Sequence, residues 1–186
     1  MARLKKTEND ARERLIEAAG RGFKKGGFGG IGVDALAREA GLTSGAFYSH
    51  LGSKAGAFRL AVEDGLAFLQ SGISDYQNRF GAEWRDRFVD FYLGERMSVG
   101  LDEACTLPSL SADVSRADGD TRKLYETALQ NMAETIAAGP GRKIDVSAAW
   151  AYLSILTGAA GLARAVDDPR LRNDILASAA RAAKAL

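Results

Sequence analysis

The residue types that carry most enzyme chemistry are scarce in these 186 residues. His50 is the sole histidine, so a multi-histidine metal site lacks ligands, and no second histidine is left for a nucleophilic triad if His50 faces a partner. A solvated surface histidine is the plainer role for it. Cys105 is the sole cysteine, which excludes an internal disulfide. Asp102 and Glu103 stand beside it with no basic neighbour close in sequence, so the thiolate is disfavoured and a buried structural cysteine is expected over a redox sensor. Gly27, Gly29 and Gly32 satisfy the G-x-G-x-x-G spacing. A helical segment and not a strand precedes them, and Gly52 and Ser53 occupy the place where a dinucleotide site needs an acid. With no carboxylate pair or Ser-His-Asp set either, no catalytic residue, no metal and no cofactor is expected, and the chain is not read as an enzyme.

The charge pattern points elsewhere. Up to Arg59 there are eleven basic side chains against six acidic ones, an excess of about +5, while the whole chain carries a net charge of only +1. A basic head on a mildly acidic body suits a polyanion such as DNA, although solvated helix faces give the same composition. Within that head, Val33 to Leu51 reads VDALAREAGLTSGAFYSHL. Ala37 is small enough for two helices to cross closely, Gly41 can take the left-handed conformation of a tight turn, and Leu36, Ala40, Leu42 and Phe47 supply a small core. This is the order a helix-turn-helix needs. Its second helix would enter a major groove by its N-terminal end, presenting Thr43, Ser44, Gly45 and Ala46, with Tyr48 and His50 one turn later. Lys54, at the start of the following helix, is placed for a phosphate. The same short spacings also occur in ordinary helical hairpins.

Elements must hold these residues in place, and the periodicity predicts only helices. Leu15, Ala18, Ala19, Gly22 and Phe23 share one face of a helix from about Asn9 to Lys25, stopped by Gly26 and Gly27, with Gly26 to Gly32 as a loop. Short helices follow at about Val33 to Ala40 and Ser44 to Leu51, the second capped by Thr43. Ser53 caps a longer one from Lys54 to about Gln77. Further helices are expected near Ala82 to Met97, Leu107 to Ala117 and Thr121 to Ala138. After a break at Gly139-Pro140-Gly141 come two more, Val146 to Val166 and Pro169 to Ala185, the last with Pro at its first position. The fold class is all-α, divided into an N-terminal head at residues 1–53 and a helical body at 54–186. Arg, Asp or Glu is expected to interrupt every apolar stretch before it could span a bilayer. With no apolar leader after the basic start, the cytoplasm is the expected location.

The segment TSGAFYSHLGSKAGAF resembles the TetR-family signature, in which a Ser or Thr cap, a Gly, a Tyr, a His and a Ser-Lys pair recur in that order. ARERLIEAAGRGFKKGGF is similar to that family's first helix, so the likeness covers roughly residues 9 to 60. Leu51, Gly56 and Ser44 stand where Phe, Ala and Lys are commoner in the family. The resemblance implies a ligand-responsive repressor that binds a near-palindromic, double-stranded DNA operator as a homodimer. It places the dimer contact on the last two helices, with no membrane partner. It also implies a small-molecule effector, partly apolar, in the body, where Phe68, Tyr76, Phe91, Met97, Cys105 and Trp150 are candidate lining residues, and a tilt of the helix from Lys54 as the lever. Plain core packing competes for those aromatics, a monomeric core competes for the last two helices, and an effector-independent DNA-binding protein is the alternative function.

Overall fold

A computed structural model describes residues 2–186, with the side chains of its first helix described from Asp10 onward. Four charges counted above, on Arg3, Lys5, Lys6 and Glu8, therefore have side chains outside the described residues. Among the described residues the regular structure is helical: α1 Ala2–Gly30, α2 Val33–Glu39, α3 Ser44–Leu51, α4 Lys54–Phe80, α5 Trp84–Leu93, α6 Thr106–Val114, α7 Gly119–Ala138, α8 Val146–Arg164 and α9 Pro169–Ala185, with short 3-10 turns beside α5 and before α6. The all-α class is borne out. The contacts divide the chain into two compact units, Met1–Leu66 with Leu101–Tyr125, and Ala67–Gly100 with Glu126–Leu186.

In the first unit α1 packs against α2, α3 and α6. Leu15, Ala18, Ala19 and Phe23 are fully buried on the face that the periodicity marked. Gly22 belongs to that face for a steric reason: a Cβ there would strike the Leu36 side chain and come within 2.7 Å of Ile31. Gly65 likewise leaves room for the buried Thr106, so α4 and α6 approach closely. The expected stop of α1 needs correction. Gly27 does leave the helical region, at φ 70° and ψ 171°, but helical turns resume through Gly30 and take up most of the expected loop. The helix also begins well before Asn9.

In the second unit α8 packs along α9, and α5 lies against both. Asp145 caps α8 by accepting from the Ala148 N–H at 2.8 Å, and Asp168 caps α9, whose first residue is Pro169, by accepting from Arg170 at 2.9 Å. Trp84 and Tyr152 are fully buried, edge to face at 6.3 Å. The expected helix from Ala82 to Met97 is interrupted. Gly94 sits at φ −108° and ψ −97°, and a Cβ there would meet the Asp90 carbonyl. The strand of chain beyond it is tied down by Arg164, which donates to the Val99 and Arg96 carbonyls at 3.0 Å each. α8 also departs from the expected interruption of every apolar stretch. Residues 146–163 contain no charge, so this helix is long and apolar enough to cross a membrane by length and composition. Ala149, Tyr152, Leu153, Leu156, Ala159, Ala160 and Ala163 are nevertheless buried within the unit, as in the core helix of a packed bundle.

The Tyr152 hydroxyl donates to the Arg85 carbonyl at 3.0 Å, and burial pushes its phenol far above the ordinary value of about 10, with the Arg85 charge opposing. A raised folded-state value means stability that is fully present below pH ~10 and lost as pH rises beyond it, because only the unfolded chain releases the proton there. Tyr152→Phe should therefore melt lower at neutral pH, by about 1 kcal/mol for the lost hydrogen bond, and lack this part of the alkaline decline. Thermal melts at neutral pH and above pH ~10 check both, and equal alkaline declines in the two proteins would contradict the assignment.

Candidate nucleic-acid interface

The turn between α2 and α3 is built from local chemistry. At the end of α2 the Gly41 N–H donates to the Arg38 carbonyl at 3.0 Å and the Leu42 N–H to the Ala37 carbonyl at 2.9 Å, with Gly41 at φ 70°. This pair of bonds around a left-handed glycine is the Schellman ending, with Leu42 as its apolar follower. Thr43 then caps α3: its hydroxyl oxygen accepts from the Ala46 N–H at 3.2 Å. Beneath the turn Leu36, Ala37, Ala40 and Phe47 are buried and Leu42 is half-buried. Gly52, at φ 72°, ends α3, and the Ser53 hydroxyl oxygen caps α4 by accepting from Gly56 at 2.9 Å. A Cβ on Gly56 would lie 2.6 Å from the Leu51 carbonyl oxygen, which gives a reason for glycine there.

The seven candidate DNA-contacting residues fall along α3 and its two ends. Thr43 and Gly45 are exposed, Ser44, Ala46 and His50 half-buried, and Tyr48 is 53% exposed. Ser44 and Tyr48 are four residues apart, hence on one helical face. Two hydroxyls are already engaged within the head, Thr43 as the cap and Ser44 as donor to the Asp34 carboxylate of α2. Nothing in the spacing flagged Asp34, whose partner lies ten residues away on the next helix. The Tyr48 ring stands edge-on to Phe47 at 5.7 Å, which holds a large exposed side chain on the outer face. Lys54 is half-buried, its ammonium 4.8 Å from the centre of the Phe28 ring, and Phe28 in turn touches Phe23 and Phe58 at 5.9 and 5.2 Å. Hydroxyl, imidazole and ammonium groups at half-buried to exposed positions beside a glycine are groups that can contact phosphates and base edges.

The six candidate effector residues do not come together as one set. Tyr76 and Phe91 lie 5.4 Å apart in an aromatic cluster with Phe80 and Phe88. Phe68 is 73% exposed, two residues and about 200° of helix from the buried Leu66. Met97 and Trp150 are half-buried in the second unit. Cys105 belongs to the first unit, half-buried at the position preceding α6 and outside any disulfide. Two clefts of the first unit, of about 470 and 280 Å³, are lined by none of the six.

A short helix pair with a glycine turn, an exposed N-terminal end and a buried Phe at its centre defines a helix-turn-helix protein. Residues 15–62 match the family model described as bacterial regulatory proteins, tetR family. The transcriptional repressor NemR of Escherichia coli is 27% identical over 132 residues, 66% of this chain and 63% of that protein, so the chain spans under two thirds of this curated relative. The crystal structure of the reduced form of E. coli NemR superposes with a TM-score of 0.72 at 20% identity, covering 91% of this chain and 95% of that one. TetR-family regulators from Cytophaga hutchinsonii and Agrobacterium tumefaciens superpose with TM-scores of 0.75 and 0.74 at 15% and 13% identity, covering 97% and 94% of this chain and 96% and 97% of theirs. Residues 15–62 are thus similar to the DNA-binding region of TetR-family regulators, and the chain as a whole shares the all-α fold of solved members of that family.

Proposed function

We propose that the chain is a ligand-responsive repressor of transcription in the cytoplasm, made of a reading head at residues 1–53 and an effector-binding and dimerising body at 54–186. The observation that carries it is the α2–α3 pair, with Phe47 buried beneath and Tyr48, Gly45 and Thr43 exposed above. Two such heads in a homodimer would fit successive major grooves about 34–36 Å apart on a near-palindromic operator. Thr43, Ser44, Gly45, Ala46, Tyr48, His50 and Lys54 are the proposed contacts. A partly apolar effector in the body would release DNA only by binding better to a conformation with the wrong head spacing, α4 being the proposed lever.

The homodimer is assigned to α8 and α9, supported by side chains that their own unit leaves uncovered: Leu162 is 62% exposed, Leu171 47% and Val146 42%. Leu162→Arg tests this cleanly, because the new charge faces solvent in the single chain and becomes buried and unpaired only in a dimer. The expected result is a folded monomer by sedimentation, with at least tenfold weaker operator binding. A dimer that sediments as the unmodified protein would contradict the assignment.

A further inference from the structure

The left-handed turn inside α1 is held from another element of the same unit. The Phe28 N–H donates to Oδ2 of Asp113, on α6, at 3.2 Å, and that oxygen lies 3.3 Å from where a side chain at Gly27 would begin. The Asp113 side chain is only 16% exposed, and its other oxygen accepts from Arg116 at 2.9 Å. The bond fixes the backbone that carries the Phe28 ring, and the Lys54 ammonium rests over that ring. Phe23 and Phe58 touch the ring, which also borders a cleft of about 470 Å³ with Ala55, Phe58 and Arg116, so there is open space beside it.

We propose that Asp113 is a positioning residue for DNA binding: by holding the Phe28 backbone across the Gly27 turn, it sets the ring against which the Lys54 ammonium is oriented. The proposal rests on the reading of Lys54 as a phosphate contact. It gives α6 control over a DNA-facing cation through one carboxylate. Its sign separates it from simple electrostatics, since removing an acid from the unit that carries Lys54 and α3 should by charge alone strengthen DNA binding.

The test compares Asp113→Ala with Asp113→Asn, which loses the same charge but keeps an acceptor oxygen. Binding to a mixed-sequence duplex is followed against salt, and the Lys54 ε-methylene protons, expected to be shielded because the ammonium lies over the Phe28 ring, are followed by NMR without DNA. Asp113→Ala should bind more weakly, with its log–log salt slope flatter by about 0.9 per head, and lose the shielding. Asp113→Asn should bind at least as tightly as the unmodified protein and keep the shielding. Combined with Lys54→Ala, Asp113→Ala should flatten the slope no further. Tighter binding by both variants, or unchanged shielding in Asp113→Ala, would overturn the proposal. A full slope in Lys54→Ala alone would sink the phosphate reading and the proposal with it. A flattened slope there, beside a full slope in Asp113→Ala, would sink only the proposal.

Discussion

Phe47→Ala is expected to destabilise the first unit by about 3–5 kcal/mol and to abolish DNA binding. Phe47 is fully buried and is the largest side chain that α3 contributes to the small core beneath the turn, where Leu36 and Ala37 are its buried counterparts on α2. A core this small has few other apolar groups to close over the void, so the cavity term adds to the lost transfer energy. Tyr48, which leans edge-on against the Phe47 ring, loses its support in the same substitution. Denaturant melts and duplex binding measured on the same preparation decide it. A loss below ~1 kcal/mol would mean that α3 is not held by Phe47.

The second large effect is on DNA affinity. If Lys54 meets a phosphate, Lys54→Ala removes one counterion-releasing contact in each head, and the salt slope flattens by about one unit per head. Binding should weaken almost evenly across sequences, because a phosphate contact fixes register and carries no base information. Lys54→Arg keeps the charge and should retain the slope. Nothing in the packing requires the ammonium itself, since its contact with Phe28 is worth only about 0.5–1 kcal/mol at a partly exposed site. Weakened binding with an unchanged slope would reassign Lys54 to a structural role.

The parts of the fold that were legible in the sequence are those set by neighbouring residues. Gly41 had to turn the chain left-handed, Thr43 and Ser53 had to cap, and Pro169 had to open a helix, so α2, α3 and α9 and the start of α4 fall where the spacing puts them. Gly27 also breaks helical geometry as a glycine there suggests, yet helical turns resume after it, because Phe28 is anchored by Phe23, Phe58 and Asp113. Gly94 was invisible for the opposite reason: it sits in a favourable apolar period, and only the backbone geometry, in which a Cβ would meet the Asp90 carbonyl, shows why the residue at the helix end is glycine. The site divides in the same way. The proposed DNA contacts follow from one continuous segment, whereas Asp34 and Asp113 bond to Ser44 and Phe28 from separate helices, 10 and 85 residues away, and no local pattern marks them. The candidate effector residues are alike in carrying an aromatic or sulfur-bearing side chain, and residue type does not give helical phase. Phe68 therefore faces solvent while Tyr76 and Phe91 meet.

As proposed, the α2–α3 pair reads DNA as one half of a symmetric dimer. Sequential selection from a random double-stranded library, at near-physiological salt with the full chain, decides whether it does. The expected result is enrichment of a near-palindrome whose half-sites lie about one helical turn apart or a multiple of it, at an affinity that Lys54→Ala and Leu162→Arg both weaken. Enrichment of no sequence, or of one that Phe47→Ala binds equally well, would contradict it.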